Sequence, residues 1–165
     1  MAKIDIEAVP GKRGSSYPAP HDAPCAERIR QQLGTAGGLQ DFGVNLLHLP
    51  PDTASSQRHW HSDEDEFVWV VSGEVSLIDD NGETTLQAGD CVAFPKGKAN
   101  GHQLLNRSGQ MAVCLEVGSR CASDVCTYPD IDMFIDGRDN IYRHRDGKPW
   151  QSSGEPDAGT AAGQS

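Results

Sequence analysis

The sequence lacks any run of about 18 apolar residues, the length that a membrane-crossing helix needs. Its opening residues, Met1-Ala2-Lys3-Ile4-Asp5, lack the apolar stretch of a secretory signal. Together these absences make a cytoplasmic location, away from membranes, the expectation. Basic residues are in deficit: 14 Lys and Arg stand against 24 Asp and Glu, a formal net charge of −10. An acidic surface repels phosphate backbones, and the most basic stretch, Arg138 to Lys148, is interrupted by Asp139 and Asp146. Nucleic acid is therefore not an expected partner. Paired cysteines are missing too. Five cysteines (Cys25, Cys91, Cys114, Cys121 and Cys126) cannot all pair within one chain, and none forms a CxxC. Reduced thiols that serve as small packing residues are the expectation.

Turn formers, by contrast, are plentiful. The chain has 165 residues, a length that suits one domain, and carries 18 Gly and 10 Pro against 36% hydrophobic residues. That balance favours many short elements over a few long helices. Residues 1–41 read as an N-terminal extension rich in Pro and Gly, with an edge strand at Lys3–Val9 and a short helix at Ala26–Leu33 stopped by Gly34, Gly37 and Gly38. From Phe42 the texture changes. Phe42–Leu49, Glu66–Ser72, Glu74–Ile78, Thr84–Gln87, Cys91–Phe94, Gly101–Asn106 and Met111–Val117 are short strand-like runs separated by turn signals, among them the hairpin Asp79-Asp80-Asn81-Gly82. Strands at this pace with no helix between them predict an all-β antiparallel sandwich or barrel over residues 42–118. Residues 119–151 read as a peripheral strap packed on it, with strands at Ile131–Ile135 and Ile141–Arg145. Residues 152–165, almost all Ser, Gly, Pro, Asp, Thr and Ala, read as a disordered tail.

Three of the six histidines sit in patterns that suit a metal. His59-Trp60-His61 on a strand sends both imidazoles to one face and Trp60 to the other. Glu66 follows the acidic turn Ser62-Asp63-Glu64-Asp65 at the head of the next strand and can fold back to offer a carboxylate oxygen. His102 begins a strand later in the barrel. Each has a plainer reading when taken singly: a surface HxH, one more acid in a solvated turn, or a hydrogen-bonded rim histidine. Phe94, Asn100, Gln103 and Leu104 are candidates to line the mouth.

The joint spacing resembles the cupin superfamily, in particular small single-domain microbial cupins of the conserved-barrel type. Its first motif, G-x5-H-x-H-x3-4-E-x6-G, is matched by His59, His61, Glu66 and Gly73, although Thr53 stands in place of the first Gly. Its second, G-x5-P-x-G-x2-H-x3-N, is matched by Gly89, Pro95, Gly97, His102 and Asn106, with four residues rather than two before His102. The resemblance implies a double-stranded β-helix barrel holding a divalent transition metal (Fe, Mn, Ni, Co or Zn) on His59, His61, Glu66 and His102. It further implies a metal-dependent enzyme acting on a small organic substrate. Non-haem Fe(II) dioxygenase chemistry is the slightly favoured expectation; an isomerase, lyase or decarboxylase and a non-catalytic metabolite-binding module are the alternatives. Many members dimerise, so a homodimer is expected, with Lys3–Val9 available for strand exchange.

Overall fold

The computed structural model describes residues 3–150. In chain order the strands are β1 (Gly11–Arg13), β2 (Ile29–Gln31), β3 (Phe42–Leu49), β4 (Trp60–His61), β5 (Glu66–Ser72), β6 (Glu74–Asp79) and β7 (Gly82–Gln87). They continue as β8 (Cys91–Phe94), β9 (Gln103–Leu105), β10 (Ala112–Ser119), β11 (Val125–Tyr128), β12 (Met133–Asp136) and β13 (Ile141–Arg143). Helix is confined to one turn, α1 (Leu33–Ala36), and two 3₁₀ turns, Ile6–Ala8 and Ala23–Cys25. The fold is thus the all-β antiparallel barrel that the sequence predicts. Sheets of order β1-β2-β3-β10-β5-β8, β7-β6-β9 and β13-β12-β11-β4 enclose it, and every strand pairing is antiparallel.

The side-chain alternation of each strand decides what lies inside. On β5, Val68 and Val70 are buried, whereas Phe67, Trp69 and Val71 on the opposite face are exposed. The inward set joins Leu47, Leu49, Val75, Leu86, Leu104, Ala112 and Cys114 in one apolar core. A second cluster, Cys126, Tyr128 and Met133 with Tyr17, Ile135, Tyr142 and Trp150 against it, seats β11–β13. The segment expected to be a peripheral strap is therefore hydrogen-bonded into the barrel wall, because β11 pairs directly with β4. The ion pairs of Arg58 with Asp80 and Asp130 tie this segment to the β6–β7 turn.

Two expectations for the N-terminal region fail. Lys3–Val9 is not a strand but contains the 3₁₀ turn Ile6–Ala8. The Gln31 side-chain amide donates to the carbonyls of Ile6 and Val9 (2.9 and 2.8 Å), taking acceptors that a ladder would need, and Ile6 is exposed. Strand exchange through Lys3–Val9 thereby loses its structural basis. Ala26–Leu33 is not a helix either. Its residues Ile29–Gln31 form β2, laddered to β1 and to β3, and α1 begins only at Leu33. A two-turn helix is marginal alone, and the open edge of β3 offers this segment a full set of backbone partners. Gly34 lies inside α1 rather than stopping it, because a Cβ there would sit 2.8 Å from the Val44 nitrogen. The proposed tail, 152–165, lies outside the described residues. No helix among the described residues is long and apolar enough to cross a membrane.

All five cysteines are free, but they are not all packing residues. Cys25, Cys114 and Cys126 are buried, Cys121 is half-buried and Cys91 is exposed. Cys91 sits on β8 opposite Trp69, on the outward face of the sheet, so alternation carries it away from the core.

Candidate metal centre

The four sequence-predicted ligands come from three places in the chain, and the barrel brings them together. His59 and His61 flank Trp60 at β4, Glu66 opens β5, and His102 immediately precedes β9. The longer loop before His102 does not displace it. His59 N–H donates to the His102 carbonyl (3.1 Å) and His102 N–H to the His59 carbonyl (2.8 Å). That reciprocal pair sets the two imidazoles side by side, with ring centroids 4.7 Å apart. Where the first motif lacks its glycine, Asp52 supplies the left-handed turn (φ 58°) and Thr53 is buried behind it.

Glu66 Oε2 is the convergence point. It lies 2.9 Å from His102 Nε2 and 3.7 Å from the Nε2 of both His59 and His61. Donors bound to one divalent ion at about 2.1 Å stand roughly 3–3.5 Å apart, so this spacing fits. The same oxygen is buried with no hydrogen-bond donor aligned to it among the described residues. A buried carboxylate oxygen left in that condition is costly unless a cation satisfies it.

The rings are oriented from behind. His59 Nδ1 contacts the Gln57 carbonyl at 2.9 Å and His61 Nδ1 contacts Asp124 Oδ2 at 2.6 Å. These contacts at Nδ1 aim each Nε2 at the centre, the arrangement that metal-ligating histidines use. Asp124 is itself buried and also accepts from the Asp63 backbone N–H (2.9 Å). His102 is held differently, stacked flat on Phe94 with ring centroids 3.5 Å apart.

Electrostatics separates three of the groups. Burial pushes His59 down to about 4, and the Glu66 charge only partly offsets it, so this ring is neutral at pH 7. Burial acts in the same direction on His61, but Cys126, Glu66 and Asp124 outweigh it and hold the imidazole up at about 10. Burial would raise the Glu66 carboxyl, yet the three histidines hold it well below the usual carboxylate range.

Sequence spacing gave no sign of Asp124, Cys126 or Glu64. Cys126 faces His61 across the β4–β11 ladder and can offer a sulfur in a group with His59 and His61. Glu64, from the acidic turn, lines the same cavity as the four residues, its Oε1 accepting the Cys121 N–H at 2.6 Å and its carboxyl raised by burial. Among the expected mouth residues, Phe94 and Leu104 line this cavity of about 400 Å3, whereas Asn100 lines a smaller one of about 170 Å3 that shares His61, Glu64, Glu66, Phe94 and His102 with it. Gln103 lines neither; its amide donates to the Ser56 carbonyl (2.6 Å). The larger cavity is also lined by Arg28, Arg30 and Glu116.

Comparison with known proteins agrees with this fold. The family model described as Cupin domain matches residues 45–118. A solved structure from Silicibacter pomeroyi, named as a sugar phosphate isomerase from a cupin superfamily, is 41% identical, with 92% of this chain and 98% of that one covered and a TM-score of 0.86. A structure from Acidithiobacillus ferrooxidans, whose name offers sugar phosphate isomerase as a proposal, is 34% identical over 72% of each chain, with a TM-score of 0.64. A polyketide cyclase from Streptomyces resistomycificus shares the fold alone, at 19% identity over 72% of this chain and 79% of its own (TM-score 0.59). No curated protein matches the chain in sequence. On the strength of the barrel, the two matched motifs and a 41% identical relative that spans nearly the whole chain, this protein belongs to the cupin superfamily.

Proposed function

We propose that the chain holds a divalent transition metal on His59, His61, Glu66 and His102 and isomerises a small hydroxy-carbonyl compound of the sugar class. The observation that carries the reading is the orphaned Glu66 oxygen among three imidazole nitrogens, in a cavity that also presents a carboxylate, Glu64, outside that set. The name of the 41% identical relative supports the choice of isomerisation. Three imidazoles and one carboxylate accept Fe(II), Mn(II), Ni(II), Co(II) or Zn(II).

A bound divalent ion supplies Lewis-acid polarisation of a carbonyl and its neighbouring hydroxyl. The protein supplies the rest. The Gln57 carbonyl and Asp124 keep the His59 and His61 rings aimed, and Phe94 holds His102 flat. Glu64, its Oε2 without a hydrogen-bond partner among the described residues and its carboxyl raised by burial, accepts the proton from the hydroxyl-bearing carbon and returns it to the adjacent carbonyl carbon, while the hydroxyl proton passes to the former carbonyl oxygen. Tyr17 and Tyr128, kept protonated by burial, remain hydrogen-bond donors in the same cavity.

The test has two parts. Metal content of the purified protein is compared with that of the His61→Ala/His102→Ala double variant; equal content overturns the site. Loaded protein is then incubated with aldoses and ketoses, free and phosphorylated, in D2O. We expect interconversion with deuterium entering next to the carbonyl, and loss of both in Glu64→Gln at unchanged metal content. Oxygen consumption without interconversion assigns the Fe(II) dioxygenase chemistry instead, carbon–carbon cleavage a lyase or decarboxylase, and ligand retention without turnover a binding module. For the homodimer, the outward Phe67–Trp69–Val71 face of β5 is the surface best suited to self-association; light scattering showing a monomer at micromolar concentration removes it.

A further inference from the structure

The large cavity poses a second electrostatic problem that the metal centre does not answer. Arg28 is only 7% exposed, yet no carboxylate among the described residues pairs with it. Its Nε donates to the Gly14 carbonyl (3.0 Å) and its Nη1 to the Ser55 carbonyl, both neutral acceptors. Nη2 has no acceptor among the described residues. The neighbouring anion is already taken. Glu116 accepts a hydrogen bond from Arg30 Nη2 (3.1 Å) and holds its other oxygen 2.9 Å from Arg30 Nε, an ion pair. Two guanidinium groups therefore share a single carboxylate, and burial together with the Arg30 charge disfavours the charged Arg28. A guanidinium stays charged under these conditions and has no route to neutrality by losing a proton. Leaving it buried and unpaired is destabilising, which points to an anion that arrives with the ligand.

We infer that Arg28 is the oxyanion-binding end of the cavity and receives the phosphate group of a phosphorylated substrate whose carbonyl end lies toward His59, His61, Glu66 and His102. The inference rests on the isomerase reading only for the identity of the rest of the molecule. Position supports it. Arg28 and the four candidate ligands line one cavity of about 400 Å3, within the range of small-molecule sites. The guanidinium is held rigidly by two backbone carbonyls and lies near the Tyr17 ring (6.0 Å to the centroid), so its remaining N–H groups are preorganised. Neutral donors, Ser16 and Asn45 among them, line the cavity beside it. Arg28 lies outside the residues 45–118 that the family model matches and reaches the cavity because the N-terminal segment adds β2 to the edge of β3. The N-terminal extension is thus part of the substrate site rather than an accessory to the barrel.

The test uses the full chain treated with EDTA, so that a bound ion cannot capture the probe. Inorganic phosphate is titrated into 15N-labelled protein while the Arg28 Nε–Hε resonance is followed. The expected result is a saturable shift at Arg28, with phosphate affinity falling roughly 10- to 100-fold in Arg28→Gln and by less in Arg28→Lys. Shifts confined to surface arginines such as Arg138 and Arg143, or unchanged affinity in a folded Arg28→Gln protein, overturn the inference. Should Arg28→Gln fail to fold because the Gly14 and Ser55 contacts are lost, the wild-type resonance and Arg28→Lys still decide. Phosphate captured at Arg28 by a protein without isomerase activity upholds the anion site and discards the reaction. Interconversion of sugar phosphates with no response at Arg28 does the reverse.

Discussion

Replacing Asn106 with Ala should cost about 3 kcal/mol of folding stability, and the figure follows from its surroundings. The residue is fully buried. Its Nδ2 donates to the Leu49 and Gln110 carbonyls, both at 2.7 Å, and its Oδ1 accepts from Ser108 N–H (2.9 Å) and Ser108 Oγ (2.7 Å). In Asn106→Ala, Ser108 Oγ keeps its contact with the Gln110 carbonyl (3.1 Å), so that carbonyl and that hydroxyl satisfy each other. The Ser108 N–H and one lone pair of the Leu49 carbonyl are left without a partner. A buried orphan such as the Leu49 carbonyl costs about 1–3 kcal/mol and the part-buried Ser108 N–H less, the lost hydrogen bonds add to this, and removing the Asn amide from the interior returns part of the sum. For a domain of this size, about 3 kcal/mol lowers the melting temperature by roughly 6–12 °C. Urea unfolding of metal-free protein measures the change directly, as a lower midpoint at unchanged slope. Asn106→Asp sharpens the test, because the introduced carboxylate keeps the Ser108 bonds but faces two carbonyl oxygens. Its folded pKa is raised above the unfolded value, so the protonated form stabilises the variant below the unfolded pKa, about 3.9. That contribution is lost as pH rises through the folded value, and the variant's deficit should therefore be larger at pH 7 than near pH 4. A loss below about 1 kcal/mol for Asn106→Ala, or no pH dependence for Asn106→Asp, would refute the reasoning.

Asp124→Asn removes the charge that holds His61 Nδ1–H at 2.6 Å, and metal affinity should fall roughly 10- to 100-fold, read by competition with a chelating dye; an unchanged affinity means that Asp124 does not orient the ring. Gly73→Ala should destabilise by more than about 2 kcal/mol, since φ is +78° and a Cβ would lie 2.7 Å from the Met111 carbonyl and 2.8 Å from Ala112 Cα. Gly82→Ala, with φ +117° but nothing within 4 Å of the added Cβ, carries strain without collision and should cost less. Thermal melts of the two variants side by side check the order, and the reverse order rules out close packing at Gly73 as the cause.

The strand pattern was legible from Phe42 onward because alternation and turn residues are local properties. Val68 and Val70 point in and Phe67, Trp69 and Val71 point out, as period two requires, and Asp79–Gly82 closes the β6–β7 hairpin. The N-terminal region misled for the converse reason. Ala26–Leu33 has the composition of a short helix, and only the open edge of β3, more than ten residues further along the chain, makes Ile29–Gln31 a strand. That error also hid Arg28 and Arg30, whose chemistry depends on lying in a cavity.

By itself the sequence determined the barrel and the four residues that meet in it, since HxH on a strand, a carboxylate at fixed spacing and a later histidine are all carried by the order of residues along the chain. Tertiary structure decided what surrounds them. The β4–β11 ladder brings Cys126 opposite His61, and the Asp124 carboxylate meets the same ring across 62 intervening residues. One cavity joins these residues to an unpaired arginine from the N-terminal edge. Such neighbours leave no periodic trace in the chain, because each is set by strand pairing and packing between distant segments rather than by local backbone geometry.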